Sequence, residues 1–379
     1  MMSTAKYRRD VVIIGGGVIG CSIAYFLAAY HGIQATIVER DAIGSAASGN
    51  AAGELAAVGR HRYSDVFTRF ILQGIAMHHE FADKIIEASS IDYQFSDITQ
   101  VRPAFSKSEE MELKSQMDWQ KSLGLVVDWV EPSDLGTQFG WLSPKALGAV
   151  VTLEKQLESY PFCLAMLQAG ERLGVTVTSG NAVKVTSLRK QVIEVELESR
   201  EAIQTRNLVI ANGPWAAVLG DHLGFPMPIR PLRGQIVHAS LPAGIEQPSY
   251  SIFHDATYML PKANGTLLLG TTDEDVGFNG IATKEAEHEI LASVVDMIPS
   301  LEMASVIRTT ACLRPSTSDD LPVIGQIPGR DGIYVASGHG HKGITLALIT
   351  GKVIADLVAT QKCDLDISAF NPSRFGFMY

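Results

Sequence analysis

The stretch VVIIGGGVIG, residues 11–20, carries the clearest fold signal in the chain. Residues 10–14 are short, apolar and β-branched, which predicts a buried strand that ends at the first glycine. Residues 18–30 place apolar side chains on one face and predict a helix, and residues 35–39 predict a second strand. Strand, glycine turn, helix and strand within about 30 residues form a βαβ unit.

The glycine spacing indicates what this unit binds. Gly15, Gly17 and Gly20 follow the pattern GxGxxG between the predicted strand and helix. The first allows a tight turn, the second lets the backbone approach a pyrophosphate, and the third lets helix and strand pack closely. The helix N-terminus adds N–H groups that favour phosphate. Glu39 ends the second strand, where a carboxylate binds ribose hydroxyls and repels a 2′-phosphate, so we expect a dinucleotide other than NADP.

The same apolar run, residues 11–30, also has the features of a signal anchor. Lys6, Arg8 and Arg9 precede it, as positive charges precede such anchors. Three consecutive glycines interrupt its first half, however, and no small-residue cleavage site follows. No later segment is long and apolar enough to span a bilayer. We therefore expect no transmembrane segment and a cytoplasmic protein.

Composition narrows the functional classes. The chain has 379 residues with 46% apolar residues, which allows two domains or one large one, and a net charge of −10. No Lys/Arg-rich block stands out, so we expect no nucleic-acid partner. The four cysteines form no CxxC pair and no zinc or iron–sulfur spacing, so we expect no metal site. Oligomeric state is open, and a homo-oligomer is one alternative.

The order of predicted elements indicates the architecture. Parallel-type strands open and close the chain, and residues 236–239, 251–260 and 266–270 predict antiparallel strands between them. Residues 153–173 predict a helix. We expect an α/β fold with a Rossmann-like nucleotide domain built from discontinuous segments, and an inserted α+β domain with a mostly antiparallel sheet.

Six ordered segments resemble the D-amino-acid oxidase/glycine oxidase superfamily of FAD-dependent amine oxidoreductases. They are DVVIIGGGVIG with VER at 38–40, SAASGNAAG at 45–53, LVIANGPWA at 208–216, PLRGQIV at 231–237, LRPSTSDDLPVIG at 313–325 and GIYVASGHGHKGITLALITGKVIADLV at 332–358. The resemblance covers nearly the whole chain and implies FAD as the cofactor. It implies an FAD-binding domain over 1–90, 150–225 and 310–379, and a substrate domain over 91–149 and 226–309.

The resemblance also implies the residues that contact FAD. Backbone N–H groups of residues 48–51 would face the pyrophosphate, and the small side chains there let the chain pass near the flavin. Residues 338–343 would present N–H groups to the flavin's pyrimidine end, where negative charge develops on reduction. The expected contacts are Gly15, Gly17, Val18, Ile19, Gly20, Glu39, Arg40, Ala47, Ser48, Gly49, Asn50, Ala51, Ala52, Gly53, Val183, Ala211, Gly213, Trp215, Gly338, Gly340, His341, Lys342, Gly343, Ile344 and Thr345.

Two residues are candidates for binding the substrate. By resemblance, Arg314 in the LRP segment binds the substrate carboxylate, and a guanidinium suits that role because it forms a planar, permanently charged clamp. Tyr258 matches a position where the family often has a tyrosine near the substrate. Its hydroxyl would share the carboxylate with Arg314. Taken alone, either residue has an ordinary structural alternative: a surface ion pair for the arginine and a strand position for the tyrosine.

Several residues depart from the family pattern and put glycine as the substrate in doubt. His341 stands where glycine-oxidase-like members have an arginine, and Lys342 replaces the following asparagine. Whether His339 and His341 act in catalysis or only shape the loop stays open. Glu54 replaces an apolar residue near the flavin, and could pair with a cationic substrate or face solvent. Residues 60–62 (Arg60, His61 and Arg62) could line the entrance or pair with Glu54.

The resemblance implies oxidation of the C–N bond of an amino acid or N-substituted amino acid: a D-amino acid, a glycine- or sarcosine-like compound, or an opine. The Cα hydrogen would pass as hydride to flavin N5, and the imine would be hydrolysed to an oxo acid. Oxygen is the expected acceptor, giving hydrogen peroxide. Three alternatives remain: a dehydrogenase that passes electrons to a quinone or partner subunit, a non-catalytic FAD-binding subunit, and a 2-hydroxy-acid oxidoreductase with a histidine base.

Overall fold

The computed structural model describes residues 7–57, 63–188 and 192–376, which form two sheets and their flanking helices. The predicted entrance residues Arg60, His61 and Arg62 lie outside the described residues. The strands are β1 (Tyr7–Ile14), β2 (Ala35–Glu39), β3 (Ser96–Pro103), β4 (Val127–Val130), β5 (Ala149–Gln156), β6 (Thr176–Ser179), β7 (Ala182–Leu188), β8 (Val192–Leu197), β9 (Ala202–Ile210), β10 (Ile229–Ser240), β11 (Tyr250–His254), β12 (Thr257–Pro261), β13 (Thr266–Gly270), β14 (Ser305–Thr317), β15 (Val323–Gln326) and β16 (Ile333–Ser337).

The α-helices are α1 (Val18–His31), α2 (Asp65–Ser89), α3 (Lys107–Ser122), α4 (Pro132–Gln138), α5 (Ser159–Glu171), α6 (Ala216–His222), α7 (Lys284–Met297) and α8 (Ala347–Thr360). Helix α1 packs against α5 and α8 beneath the first sheet. Its side chains Ile23 and Phe26 are buried there. In the part of the chain that the structure describes, no helix is both long and apolar enough to cross a membrane.

The first sheet confirms the predicted Rossmann-like unit. Its main path is β15-β16-β9-β1-β2-β6, and β8 joins it at β9 with β7 beyond. Strand β1 pairs in parallel with β2 and β9, and β16 pairs in parallel with β9. Because β1 lies in the middle of the sheet, residues 11–14 are buried, which explains their continuous apolar run. The carboxyl ends of these strands meet at one edge.

The second sheet confirms the predicted antiparallel region. Its order is β14-β10-β13-β12-β11-β3-β5-β4, and every pair is antiparallel except β11 with β3. The predicted strand over residues 251–260 is in fact two strands, β11 and β12. They form a hairpin whose turn contains Asp255 at a φ of 51°.

The helix predicted over residues 153–173 is wrong in its first part, where the chain forms β5 and only then α5. In β5 the side chain of Leu153 is exposed, whereas Thr152 and Glu154 are buried. A strand is normally recognised by apolar side chains on its buried face, so this inverted polarity explains why β5 was not predicted.

Strands β5 and β14 both belong to the second sheet and cross the domain boundaries expected near residues 150 and 310. The domain division stays a prediction.

Candidate active site

A cavity of about 850 Å³ opens at the carboxyl ends of β1, β2, β9 and β16. This is where open α/β sheets bind their ligands. Its other wall comes from the second sheet, which contributes side chains of β3, β10, β11, β12 and β14. The volume lies in the range of small-molecule sites. The cavity therefore joins the predicted nucleotide edge to the predicted substrate side.

The glycine turn has the geometry that its spacing predicts. Gly15 has a φ of +109°, and a Cβ on it would lie 2.6 Å from the carbonyl oxygen of Ala211. A Cβ on Gly20 would lie 2.0 Å from the carbonyl oxygen of Gly15, so helix α1 packs directly on the turn. The hydroxyl of Ser48 accepts a hydrogen bond from the N–H of Val18 at 3.0 Å. The loop over residues 45–53 is thereby tied to the start of α1.

The side chains after β2 form the rim of the cavity. The Glu39 carboxylate accepts hydrogen bonds from the N–H of Gly16 at 2.6 Å and of Asp41 at 2.8 Å. The Arg40 guanidinium lies 4.6 Å from the centre of the Trp215 ring, and Trp215 stacks on Phe278. Glu39, Arg40 and Trp215 all line the cavity. The tryptophan is therefore part of a surface at the ligand site.

Most of the expected FAD contacts line this one cavity. They are Gly15, Gly17, Val18, Ile19, Glu39, Arg40, Ala47, Ser48, Asn50, Ala51, Ala52, Gly53, Val183, Ala211, Gly213, Trp215, Gly338, Gly340, His341, Lys342, Gly343, Ile344 and Thr345. Gly20 and Gly49 do not line it: Gly20 packs under the turn, and a Cβ on Gly49 would lie 2.4 Å from the carbonyl oxygen of Gly44. These two glycines serve close backbone packing beside the cavity.

The residues present fit a bound dinucleotide. The Oδ1 atom of Asn212, a cavity-lining residue, is buried without a hydrogen-bond partner in the described structure. A buried amide oxygen of this kind normally has a donor, which a ligand would supply. The turn at Gly15 leaves no room for a side chain, so the backbone itself forms the cavity wall there. FAD would be held by this turn, the 45–53 loop and the segment after β16.

Strand β16 is followed by a short turn before the last long helix. The 3₁₀ turn covers Gly340–Lys342, and α8 begins at Ala347. The His339 ring is buried and lies 3.1 Å from the Thr350 hydroxyl of α8, and burial lowers its pKa to about 3. The Lys342 ammonium donates to the carbonyl of Ala56 at 2.7 Å, and burial lowers its pKa to about 8. Both side chains therefore anchor the segment.

Arg314 lies in β14 with its guanidinium in the cavity. Nη1 donates to the carbonyl oxygen of Thr272 at 2.9 Å and to Asp273 Oδ1 at 2.7 Å, and Nη2 donates to the Thr271 hydroxyl at 2.8 Å. A guanidinium has more N–H donors than these three contacts use. The arginine is thus oriented by the protein while it retains donors for a ligand.

Two glycines make room for the substrate-side residues. A Cβ on Gly234 of β10 would lie 2.1 Å from Cζ of Arg314, which crosses over it. A Cβ on Gly270 of β13 would lie 2.3 Å from the ring of Tyr258. Since β13, β10 and β14 are adjacent strands, the two side chains lie over neighbouring positions of one sheet. Burial raises the pKa of Tyr258 well above its usual value, so its hydroxyl stays protonated.

A buried polar network holds the segment that contacts Arg314. Glu274 forms an ion pair with Arg233, accepts from Gln235 Nε2 at 2.7 Å and accepts from the Thr272 hydroxyl at 2.5 Å. Arg233 and Gln235 are both buried. Because they belong to β10, they fix residues 271–274 against the sheet. The carbonyl of Thr272 and the carboxylate of Asp273 are therefore held beside Arg314.

His341 and Asp273 meet at the mouth of the cavity. His341 Nε2 lies 3.4 Å from Asp273 Oδ1, and its side chain is 46% exposed. Among the two histidines predicted as candidates, His341 therefore presents its ring to the ligand side, whereas His339 directs its ring at α8.

Glu54 lies at the inner side of the cavity. Its Oε1 accepts from Gln100 Nε2 at 3.1 Å and from the Ser251 hydroxyl at 2.8 Å. Burial raises the pKa of Glu54 to about 7, although the two donors oppose the shift. The expectation that Glu54 could simply face solvent is wrong, because its carboxylate is enclosed.

Sequence reasoning did not identify several cavity residues. Asp273, Gln100 and Arg102 all line the site. Asp273 stands in the run TTDED, and Arg102 lies in β3 within QVRP; neither segment has a spacing that marks a ligand site. The pairing of β10, β13 and β14 is what brings Asp273 to Arg314.

Comparison with known proteins agrees with this geometry. The chain is 27% identical over 371 residues to a glycine oxidase of Geobacillus kaustophilus, covering 97% of each. It is 28% identical over 405 residues to the hydrogen cyanide synthase subunit HcnC of Pseudomonas aeruginosa, covering 97% of this chain and 96% of that one. A crystal structure of the Geobacillus kaustophilus glycine oxidase matches with a TM-score of 0.92 at 27% identity, covering 97% of this chain and 99% of that one.

The family follows from the extent of the match. The model described as FAD dependent oxidoreductase (DAO) matches residues 10–357, which include the glycine turn, the substrate-side strands and the segment after β16. The cofactor of this protein is therefore FAD, and the resemblance seen in the six sequence segments is confirmed. The protein belongs to the DAO family of FAD-dependent oxidoreductases and is similar to glycine oxidases.

Proposed function

We propose that this enzyme oxidises the C–N bond of an amino acid or N-substituted amino acid whose carboxylate binds Arg314. The observation that carries the proposal is the position of Arg314. Its guanidinium shares one cavity with the cofactor loops, is oriented by Thr271 and Thr272, and has donors left for a carboxylate. Held in this way, one end of the substrate is fixed and its Cα is oriented toward the cofactor side.

Tyr258 is the second substrate-binding residue of the proposal. Its hydroxyl remains protonated because burial raises its pKa, so it can donate a hydrogen bond to a carboxylate. The ring stacks on Phe253 with centroids 5.0 Å apart. These two rings form an apolar wall that limits water near the reacting carbon. The phenol therefore supports the carboxylate while its ring shields the site.

FAD, held by the turn at Gly15, the 45–53 loop and the segment after β16, would supply the hydride acceptor for this oxidation, with oxygen as the proposed final acceptor giving hydrogen peroxide. The substrate loses its Cα hydrogen with two electrons and one proton from nitrogen. Water then hydrolyses the imine to an oxo acid and ammonia or an amine. No dedicated base is required if the amine binds neutral. His341 lies at the cavity mouth, where it could hold the proton lost from the substrate nitrogen beside Asp273.

The cytoplasmic location and a homo-oligomeric state remain predictions.

The test is anaerobic reduction of the bound flavin. Purified FAD-loaded protein is mixed separately with glycine, sarcosine, D- and L-amino acids, hydroxyprolines and opines, each matched where possible with its hydroxy analogue. We expect an amino compound to bleach the visible flavin band and its hydroxy analogue to leave the band unchanged. Air then restores the band rapidly in an oxidase. Persistent bleaching identifies a dehydrogenase that needs another acceptor, and reduction by hydroxy acids instead of amino acids overturns the C–N assignment.

Arg314→Ala and Arg314→Lys test the clamp. We expect Arg314→Ala to raise KM by about 100-fold or more, because a charged hydrogen-bonded pair contributes about 1.5–3 kcal/mol or more when buried. Arg314→Lys keeps the charge but loses the planar fork, so an intermediate KM is expected. Flavin content reports whether each variant still folds and binds FAD. Unchanged KM in a flavin-loaded Arg314→Ala variant would contradict the proposed clamp.

A further inference from the structure

The Glu54 carboxylate has one oxygen that the protein binds and one that it does not. Oε1 accepts from Gln100 and Ser251, which are neutral donors on two different strands, β3 and β11. Oε2 is sealed from solvent and has no hydrogen-bond partner within the described structure. Because the two donors fix the carboxylate from one side, its orientation is set before any ligand arrives.

An unpartnered buried carboxylate oxygen is costly. Its water is lost without a replacement donor, which costs about 1–3 kcal/mol or more for a charged group. Two basic side chains, Arg102 and Lys342, lie near Glu54, and neither donates to Oε2; the Lys342 ammonium is bound at the carbonyl of Ala56. The side chain of Glu54 lines the cavity, so a ligand that reaches the buried Oε2 would supply the missing donor. The group that best matches a buried carboxylate is a nitrogen cation.

Glu54 and Arg314 act on the same part of the cavity. Tyr258 lies close enough to both that each affects the ionisation of its phenol, Arg314 favouring and Glu54 opposing the charged form. Both charged residues line the same cavity, so a substrate with a carboxylate at one end and an ammonium at the other would place these groups at Arg314 and Glu54. The apolar wall of Tyr258 and Phe253 would accommodate the methylene groups between the two charges.

We propose that Glu54 binds a second, cationic nitrogen of the substrate, so that the preferred substrates are amino acids with a basic side chain. This inference rests on the proposed function, because it takes the substrate carboxylate to be at Arg314. It names the substrate class that a glutamate at position 54 would select, where the family pattern has an apolar residue.

A binding measurement tests Glu54 without turnover. 6-Aminohexanoate has a carboxylate and a distant ammonium but no α-amine, and hexanoate is its match without the cation. Each is titrated into FAD-loaded protein, and the dissociation constant is read from the change in the visible flavin band. We expect 6-aminohexanoate to bind about 10- to 100-fold more tightly than hexanoate, the value of one charged hydrogen bond. Glu54→Gln should abolish that difference and leave hexanoate binding nearly unchanged.

Glu154→Gln is the matched control. Glu154 is also a buried acid near Glu54, but its Oε2 already accepts from the N–H of Ala57 at 3.0 Å and it does not line the cavity. We expect Glu154→Gln to keep the preference for 6-aminohexanoate. Loss of the preference in both variants to the same degree would mean that the general negative field attracts the cation, and would overturn direct binding by Glu54. Melting temperatures and flavin content report whether either variant is misfolded.

Turnover separates this inference from the proposed function. Both enantiomers of lysine and ornithine are compared with both enantiomers of norleucine and norvaline as flavin reductants. Preference for the basic compounds in the wild type, lost in Glu54→Gln, supports the inference. If the neutral compounds reduce the flavin equally well, the proposed function stands and the Glu54 inference fails. If no amino acid reduces the flavin, the proposed function fails first. Weaker FAD binding in Glu54→Gln with unchanged ligand preference would assign Oε2 to the cofactor and overturn the inference.

Discussion

Arg314 and Asp273 form an ion pair at the mouth of the cavity, with Nη1 of the arginine 2.7 Å from Oδ1 of the aspartate. A substrate carboxylate at Arg314 must therefore share the guanidinium with a carboxylate of the protein itself. The contacts from Arg314 to Thr271 and Thr272 do not depend on Asp273, so removing the charge of Asp273 leaves the arginine oriented.

Asp273→Asn is accordingly expected to strengthen carboxylate binding. The aspartate is 30% exposed, so solvent moderates its effect, and we expect KM to fall by about 3- to 10-fold. The measurement is KM for the best amino-acid substrate, together with the dissociation constant of hexanoate. Asp275→Asn is the control, because Asp275 is an exposed acid of the same segment that pairs with Arg230. A higher KM in Asp273→Asn would show instead that Asp273 is needed to orient Arg314.

Gly234→Ala tests the space that Arg314 requires. The added Cβ would overlap the guanidinium, so the side chain must leave its position or the sheet must shift. We expect KM to rise by about 10-fold or more while FAD remains bound, since misplacement of a clamp by about 1 Å has effects of that order. Gly136→Ala in α4 is the control because nothing lies within 4 Å of its added Cβ. Wild-type KM in a folded Gly234→Ala protein would contradict the position of Arg314 described above.

Gly15→Ala tests the cofactor turn. Its φ of +109° is unfavourable for alanine, and the Cβ would press on the carbonyl of Ala211. We expect the variant to be purified with little or no flavin and to need much higher added FAD for any gain in melting temperature. The readouts are the flavin-to-protein absorbance ratio and the melting temperature with and without FAD. Full flavin content in this variant would place the cofactor away from the turn.

Glu54→Gln should change how stability depends on pH. Burial raises the pKa of Glu54 to about 7 from a usual value of 4.5, so the native protein retains a proton that the unfolded chain loses. Folding then takes up a proton between these values, and stability falls as pH rises through that window. We expect the wild type to lose about 1–3 kcal/mol more free energy of unfolding than Glu54→Gln between pH 4.5 and 7.

Urea denaturation of FAD-loaded wild type and Glu54→Gln at a series of pH values measures this difference. The two curves should converge at the acid end, where the wild-type carboxyl is protonated like the neutral amide. Parallel curves across the whole range would contradict a raised pKa for Glu54. An opposite slope, with the wild type gaining stability as pH rises, would mean that Glu54 is stabilised as a carboxylate.

Much of the fold could be predicted because its signals are local. Residues 11–14, the three spaced glycines and the following helix are neighbours in sequence, and each constrains the next through strand burial and backbone geometry. The second sheet was predicted less well, since its strands follow a less regular pattern. In β5 the exposed Leu153 and the buried Glu154 reverse the usual polarity, so this strand lacks the pattern of buried apolar side chains.

The amino-acid sequence alone determined the βαβ unit and the family, and it predicted Arg314, Tyr258 and Glu54 as site residues, since these inferences depend on local spacing and on resemblance. Only the tertiary structure decided what surrounds them. Asp273 reaches Arg314 across 41 positions of sequence, and Ser251 reaches Glu54 across 197. Such partners leave no local pattern, because strand pairing brings them together after the chain has folded. Ion pairing and enclosure of these charged groups therefore emerge only when both sheets are assembled.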